Sequence, residues 1–179
     1  MPDLDLRPAV AADIPTLKQW DVAPHVVAIS GDDEPWNWVE EIKVPWQQVW
    51  IAEVDERPIG VVVLLDAHTE PSNYWGDVAP GTYAIDIWIG ETDYLHRGYG
   101  TQMMRHMIDR AFNVHGAHTI LIDPLEENTD AIGFYRYLGF EPVGPRRFGA
   151  DDCLVLQLVH PAWLRGVEET PPAASGLDD

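Results

Sequence analysis

The segment Tyr83-Ala-Ile-Asp-Ile-Trp-Ile-Gly90 runs into Leu95-His-Arg-Gly-Tyr-Gly-Thr101 and then into Gln102-Met-Met-Arg-His-Met-Ile-Asp-Arg-Ala-Phe112. This order predicts a strand, a glycine-rich loop and an amphipathic helix, and it leaves few folds open. A glycine-rich loop that opens a helix presents unpaired backbone N–H groups at the positive end of the helix dipole, a ready site for phosphate. The strand before it is apolar except for Asp86, so a candidate base stands beside a site for a phosphate-bearing cofactor. Two familiar phosphate motifs are excluded. The dinucleotide fingerprint needs a third glycine where this chain has Met103, and there is no Lys-Ser/Thr pair as a P-loop requires.

The rest of the chain supplies a sheet around this unit. Leu4 to Arg7 alternates as a first strand, and Asp13 is placed to cap a helix with Pro15 in its first turn. Pro24 interrupts, His25 to Ile29 restarts a helical turn, and Trp36 to Val44 reads as a second helix. Val49 to Val54 and Ile59 to Leu65 form a hairpin whose second strand is apolar enough to be central. Ala67 to Thr82 is a loop long enough to be functional. Thr119 to Asp123 is a buried strand stopped by Pro124, and Asn128 or Thr129 caps a helix that Gly139 ends. Phe140 to Val143 and Cys153 to Val159 are final strands around a turn at Arg146 to Asp151. Strands before and after each helix give an α/β (α+β) domain over residues 1–165, a mixed sheet of six to seven strands with helices on both faces. Residues 166–179 read as a disordered acidic tail.

Charge decides which partners suit such a domain. The net charge is −19, and the tail holds only Glu168, Glu169, Asp178 and Asp179 of the acidic residues, so most of the charge belongs to the folded body. That disfavours nucleic acid and anionic membrane and favours a cationic small molecule. The single cysteine, Cys153, excludes an intramolecular disulfide and reads as a core thiol. With no signal-like start and no apolar run of the ~18 residues that span a bilayer, the expected location is the cytoplasm. His115 and His118 flank Gly116 without thiol partners, and no metal is expected. Met103, Met104, Met107, Ile108, Ala111 and Phe112 recur at helical spacing as a buried face.

Taken together, Leu6-Arg-Pro8, Asp13-Ile-Pro15, the Arg97-Gly-Tyr-Gly-Thr101 loop, Asn128 with Ala131, and Phe134-Tyr-Arg-Tyr-Leu-Gly-Phe140 resemble the GNAT superfamily of acyl-CoA-dependent N-acetyltransferases over nearly the whole chain. The family's loop starts with Gln or Arg, where this chain has Leu95. Trp20 with Pro24-His-Val26, Tyr83 to Asp86, and Asp123-Pro124 followed by Asn128 are most similar to the bacterial aminoglycoside 6′-N-acetyltransferases. Relatives often carry tryptophans shortly after the His-Val, where this chain has Ala28-Ile29.

The resemblance implies the GNAT fold and acetyl-CoA as cosubstrate. Its pyrophosphate would lie on the amides of Arg97, Gly98, Tyr99, Gly100 and Thr101, with Asn128, Ala131 and Phe134 along the rest of the cofactor. Backbone N–H groups of Ile87, Trp88 and Ile89, splayed at a bulge, would polarise the thioester carbonyl. Asp86 would bind the substrate ammonium and take its proton, directly or through water, and Tyr135 would protonate the leaving thiolate. Tyr74, Trp75, Asp123 and Asp151 would hold the sugar, with Asp32, Asp33 and Glu34 read as a solvated turn. The implied activity is aminoglycoside acetylation at the 6′ amine, giving antibiotic resistance by direct transfer in a ternary complex. Two alternatives stay open: the same fold acting on another amine (a polyamine, a siderophore intermediate, a protein N-terminus), and a non-catalytic acyl-CoA or aminoglycoside binding module. The protein is expected as a monomer or homodimer.

Overall fold

The computed structural model describes residues 3–31 and 34–161; the tail assigned to residues 166–179 and the turn residues Asp32 and Asp33 lie outside the described residues. Strands β1 (Leu4–Pro8), β2 (Gln47–Val54), β3 (Arg57–Asp66), β4 (Thr82–Ile89), β5 (Thr119–Ile122), β6 (Glu141–Phe148) and β7 (Asp151–Val159) form one sheet in the order β1-β2-β3-β4-β5-β7-β6. Every neighbouring pair is antiparallel except β4 and β5. Helices α1 (Ile14–Asp21), α2 (Pro24–Ser30) and α3 (Trp38–Glu41) lie between β1 and β2 in the chain, α4 (Tyr99–Asn113) between β4 and β5, and α5 (Thr129–Tyr137) between β5 and β6.

The strand with the longest apolar run is buried on both faces. In β3, Val62 and Leu64 join a core with Met103, Met104, Met107 and Ile108 of α4, while Val61 and Val63 join one with Leu17, Trp20 and Trp38 of α1 and α3. The period of two in β3 therefore meets the helical period of α4 on one side and the tryptophans on the other. The methionines of α4 are wholly buried, so truncating one to Ala costs about 2–5 kcal/mol.

Three local expectations are corrected. Trp36 to Val44 is not one helix: Trp36 and Trp38 stack face to face, centroids 4.9 Å apart and 7° from parallel, and residues two apart on a helix cannot face each other. The break expected at Pro24 is present between α1 and α2, and Pro24 itself opens α2, where a missing N–H leaves no helical bond unmade. Asp13 does not cap α1 with its side chain. It closes a 3₁₀ turn (Ala11–Asp13) by accepting the Val10 N–H at 2.8 Å and pairs with Arg7 at 2.7 and 2.8 Å. Finally, Arg146 to Phe148 and Asp151 belong to strands, and the turn is narrowed to Gly149-Ala150, with Gly149 at φ +56.

Candidate active site

The site begins where β4 and β5 part. They pair only at Thr82–Thr119, Tyr83–Ile120 and Ala84–Leu121, so β4 beyond Ile85 has lost its neighbour on that side. The Gly90 N–H donates to Ile59 O at 2.9 Å, and Thr82 O accepts from Ala67 N–H at 3.0 Å, so the even residues of β4 bond toward β3. By alternation the odd amides turn away from β3: that of Ile85 closes the last bond to β5, and those of Ile87 and Ile89 face the opening. The Ile89 carbonyl accordingly meets the His25 Nε2 at 2.9 Å rather than a strand. The β3–β4 register is continuous, so the opening comes from this divergence and not from a bulge in β4. Trp88, an even residue, has its amide on the β3 side, away from the opening.

Side chains alternate the other way across the sheet. Ile85, Ile87 and Ile89 face the α4 core, whereas Ala84, Asp86 and Trp88 face the α1–α3 side. A cleft of ≈ 980 Å³ runs through the opening and joins the two sides. Crevices outside the carboxyl ends of parallel strands are where α/β sheets bind ligands.

On one side lie the starts of α4 and α5. Gly98 takes φ +83, which only glycine adopts without strain, and the first bond of α4, Gln102 N–H to Gly98 O, leaves the amides of Tyr99, Gly100 and Thr101 without helical acceptors. Gly98, Gly100 and Thr101 line the cleft. A Cβ on Gly100 would stand 3.7 Å from the Phe134 ring of α5, so the two helix starts face each other closely. The side chains of Arg97 and Tyr99 are not brought into this cleft: they line a smaller depression with Arg57 and Tyr94. Asn128 caps α5 through its Oδ1, which accepts from Ala131 N–H at 3.1 Å. Asn128, Ala131, Phe134 and Tyr135 form that wall. Burial, followed by the negative charges of Asp86 and Asp123, holds the Tyr135 phenol above the ordinary tyrosine value. It therefore keeps its proton at neutral pH and is available as a donor.

The other side is acidic. Glu41, Glu70, Asp86, Asp123 and Asp151 line it, Asp130 stands in the first turn of α5 on the opposite wall, and among the described residues no Lys or Arg lines the cleft. Tyr74, 38% exposed, donates from its hydroxyl to Asp123 Oδ2 at 2.6 Å and stacks on Phe148 at 4.4 Å. Trp75 is 6% exposed and packs with Ala67, Ala84 and Val155, forming the floor. A Cβ on Gly31 would meet the Asp151 carboxyl group at 2.5 Å, so Asp151 sits against the end of α2.

Sequence reasoning missed His25, Trp36, Glu41, Glu70 and Phe148. Trp36 lines the cleft and tilts against Trp88 at 5.8 Å, supplying an aromatic wall where Ala28-Ile29 has none. Cys153 is a buried free thiol. His118 bonds Pro80 O at 2.7 Å and Thr119 Oγ1 at 2.9 Å, fixing the end of the long loop. Among the described residues no group of three or more His, Cys, Asp or Glu side chains is placed to hold a metal, and no helix is long and apolar enough to cross a membrane.

A divergent β4–β5 pair, with amides on one edge and a helix N-terminus beside it, defines a protein built to hold an acyl donor against an acceptor. The family described as "Acetyltransferase (GNAT) domain" matches residues 9–148, and the chain belongs to that family. It is an N-acetyltransferase. Aminoglycoside N(6′)-acetyltransferase type 1 of Klebsiella pneumoniae is 26% identical over 149 residues, covering 78% of this chain and 74% of the relative. The crystal structure of aminoglycoside acetyltransferase AAC(6′)-Ib in complex with coenzyme A superposes with a TM-score of 0.81 at 24% identity, covering 93% of this chain and 100% of the other. Spermidine N-acetyltransferase from Vibrio cholerae, in complex with CoA and spermine, shares the fold with a TM-score of 0.73 at 18% identity, covering 90% and 98%.

Proposed function

We propose that this enzyme transfers an acetyl group from acetyl-CoA to the 6′ amine of an aminoglycoside within a ternary complex, and so confers resistance to that antibiotic in the cytoplasm. The observation that carries this reading is the composition of the acceptor side, where five carboxylates meet aromatic walls and no fixed cation lines the cleft. Aminoglycosides are polycationic rings, which such a surface concentrates and orients. The carboxylates alone would suit a linear polyamine equally; the flat surfaces of Trp36 and Tyr74 favour a ring.

The residues divide the work as follows. The amides at the start of α4 bind the pyrophosphate of the cosubstrate, with Gly98 and Gly100 allowing close backbone approach. Asn128, Ala131 and Phe134 line the path of its pantetheine arm. The N–H groups of Ile87 and Ile89 donate to the thioester oxygen, most strongly as negative charge develops there. Asp86 binds the substrate ammonium and accepts its proton, leaving the neutral nitrogen that attacks. Tyr135 donates to the departing sulfur from a phenol that stays protonated at working pH. Asp123 and Asp151 hold further ammonium groups, and Tyr74 orients Asp123.

The test is to incubate the protein with acetyl-CoA and kanamycin and locate the acetyl group on the product by NMR. Acetylation at the 6′ nitrogen is expected. Acetylation at another ring position would overturn the regiochemistry. No product despite measurable acetyl-CoA binding would favour a binding module.

A further inference from the structure

We propose that Arg146 is a positioning residue for the amine substrate, acting as a latch that holds the long loop (67–81) over the acceptor side of the cleft. The proposal rests on the reading of that side as the amine site. Arg146 projects from β6, 72 positions from Tyr74 in the chain, yet its Nη1 donates to Trp75 O and its Nη2 to Tyr74 O, each at 3.0 Å. Its guanidinium carbon lies 4.5 Å from the centroid of Phe148, whose ring stacks with Tyr74 at 7° and meets Trp75 edge-on at 5.5 Å. Guanidinium, phenyl and phenol thus form one stack, and a single side chain bonds two consecutive carbonyls of the loop.

The consequence falls on Asp123. Tyr74 reaches across to donate to Asp123 Oδ2, so the loop's position sets the rotation of a carboxylate that lines the cleft. Glu70 fixes the loop internally, accepting Ser72 N–H at 2.6 Å and Tyr74 N–H at 3.2 Å, but it belongs to the loop and cannot hold it to the sheet. Arg146 and Phe148 do that from the β6–β7 hairpin. A planar five-donor fork suits this task and a lysine does not, because one ammonium cannot face both carbonyls and stack as well.

Arg146→Ala, Arg146→Lys and Phe148→Leu are compared with Arg147→Ala, a control whose exposed side chain pairs with Asp152 outside the stack. The first readout is hydrogen exchange of the free protein. The Arg146 and Phe148 variants should exchange the amides of residues 72–76 about tenfold faster, with the amides of α4 unchanged. The second is steady-state kinetics with kanamycin, or with spermidine if that is the amine the wild type acetylates. KM for the amine should rise about tenfold in Arg146→Ala and be only partly restored in Arg146→Lys, while KM for acetyl-CoA stays within about twofold. Unchanged exchange in the loop, or an unchanged amine KM, would overturn the proposal. A wild type inactive on kanamycin would count against the aminoglycoside reading alone, since the exchange readout needs no substrate.

Discussion

The Nε2 of His25 lies 2.9 Å from the carbonyl oxygen of Ile89, at the end of β4 where β5 has already turned away. A carbonyl only accepts, so the geometry places the proton on Nε2. The bond links the first turn of α2 to the strand edge whose amides are proposed to face the thioester. His25→Ala is expected to lower kcat about tenfold through loosened alignment of the Ile87 and Ile89 amides. Steady-state kinetics checks this; an unchanged kcat would mean that the edge is rigid without the imidazole.

Asp86 stands two residues before Trp88 on the acceptor face, opposite Val63 of β3. Asp86→Asn keeps the shape but removes both the charge and the proton acceptor. Turnover should fall by about 10²–10⁴-fold, the range for a lost general base, while acetyl-CoA affinity measured by calorimetry stays nearly intact. Equal turnover in the variant would remove Asp86 from the mechanism.

Tyr135→Phe deletes the proposed donor to the leaving sulfur while keeping the ring contacts with Phe134 and Phe140. The expected loss in kcat is about 10²-fold. Because the folded phenol titrates above its ordinary value, it remains protonated as pH rises through about 10. The wild-type pH–rate profile should therefore show no alkaline decline from this group below that value. A decline near pH 9 that disappears in Tyr135→Phe would contradict the assignment.

How much of this was legible in the sequence depended on distance along the chain. The apolar run of β3, the face of α4, the left-handed Gly98 and the Asn128 cap are each announced within a few residues, by periodicity or by glycine and cap chemistry. The correction at Asp13 is also local, but there two rules compete for one residue: a side chain that can cap can equally pair with Arg7. The acceptor side was only half visible. Asp86 stood out in an apolar strand, and Asp123 and Tyr74 came through resemblance, whereas Glu41 and Trp36 reach the cleft, and Arg146 the loop beside it, only because the fold brings distant segments together. Nothing near Arg146 in sequence signals its bonds to Tyr74 and Trp75.

Stability should depend on the Arg7–Asp13 pair. Asp13 is 7% exposed, and its hydrogen bonds from Arg7 hold its carboxyl below the ordinary carboxylate value. A carboxyl lowered in the folded state stabilises above its unfolded value of about 4 and loses that contribution as pH falls below it. Asp13→Asn should cost about 1–2 kcal/mol at pH 7, discounted because Arg7 is partly solvent-exposed. The difference from wild type in urea melts should shrink at pH 3; a difference independent of pH would show that the charge is not what matters.

The central claim is that the acidic, aromatic-walled side of the cleft accepts a polycationic ring and delivers one amine to the acetyl donor at Asp86. The most direct measurement is CoA thiol release with acetyl-CoA and a panel of kanamycin, tobramycin, spermidine and a peptide with a free N-terminus, each scored as kcat/KM. The expected result is that the two aminoglycosides exceed spermidine and the peptide by at least about tenfold, and that Asp123→Asn narrows the gap. Turnover of spermidine or the peptide with none of the aminoglycosides would contradict the account.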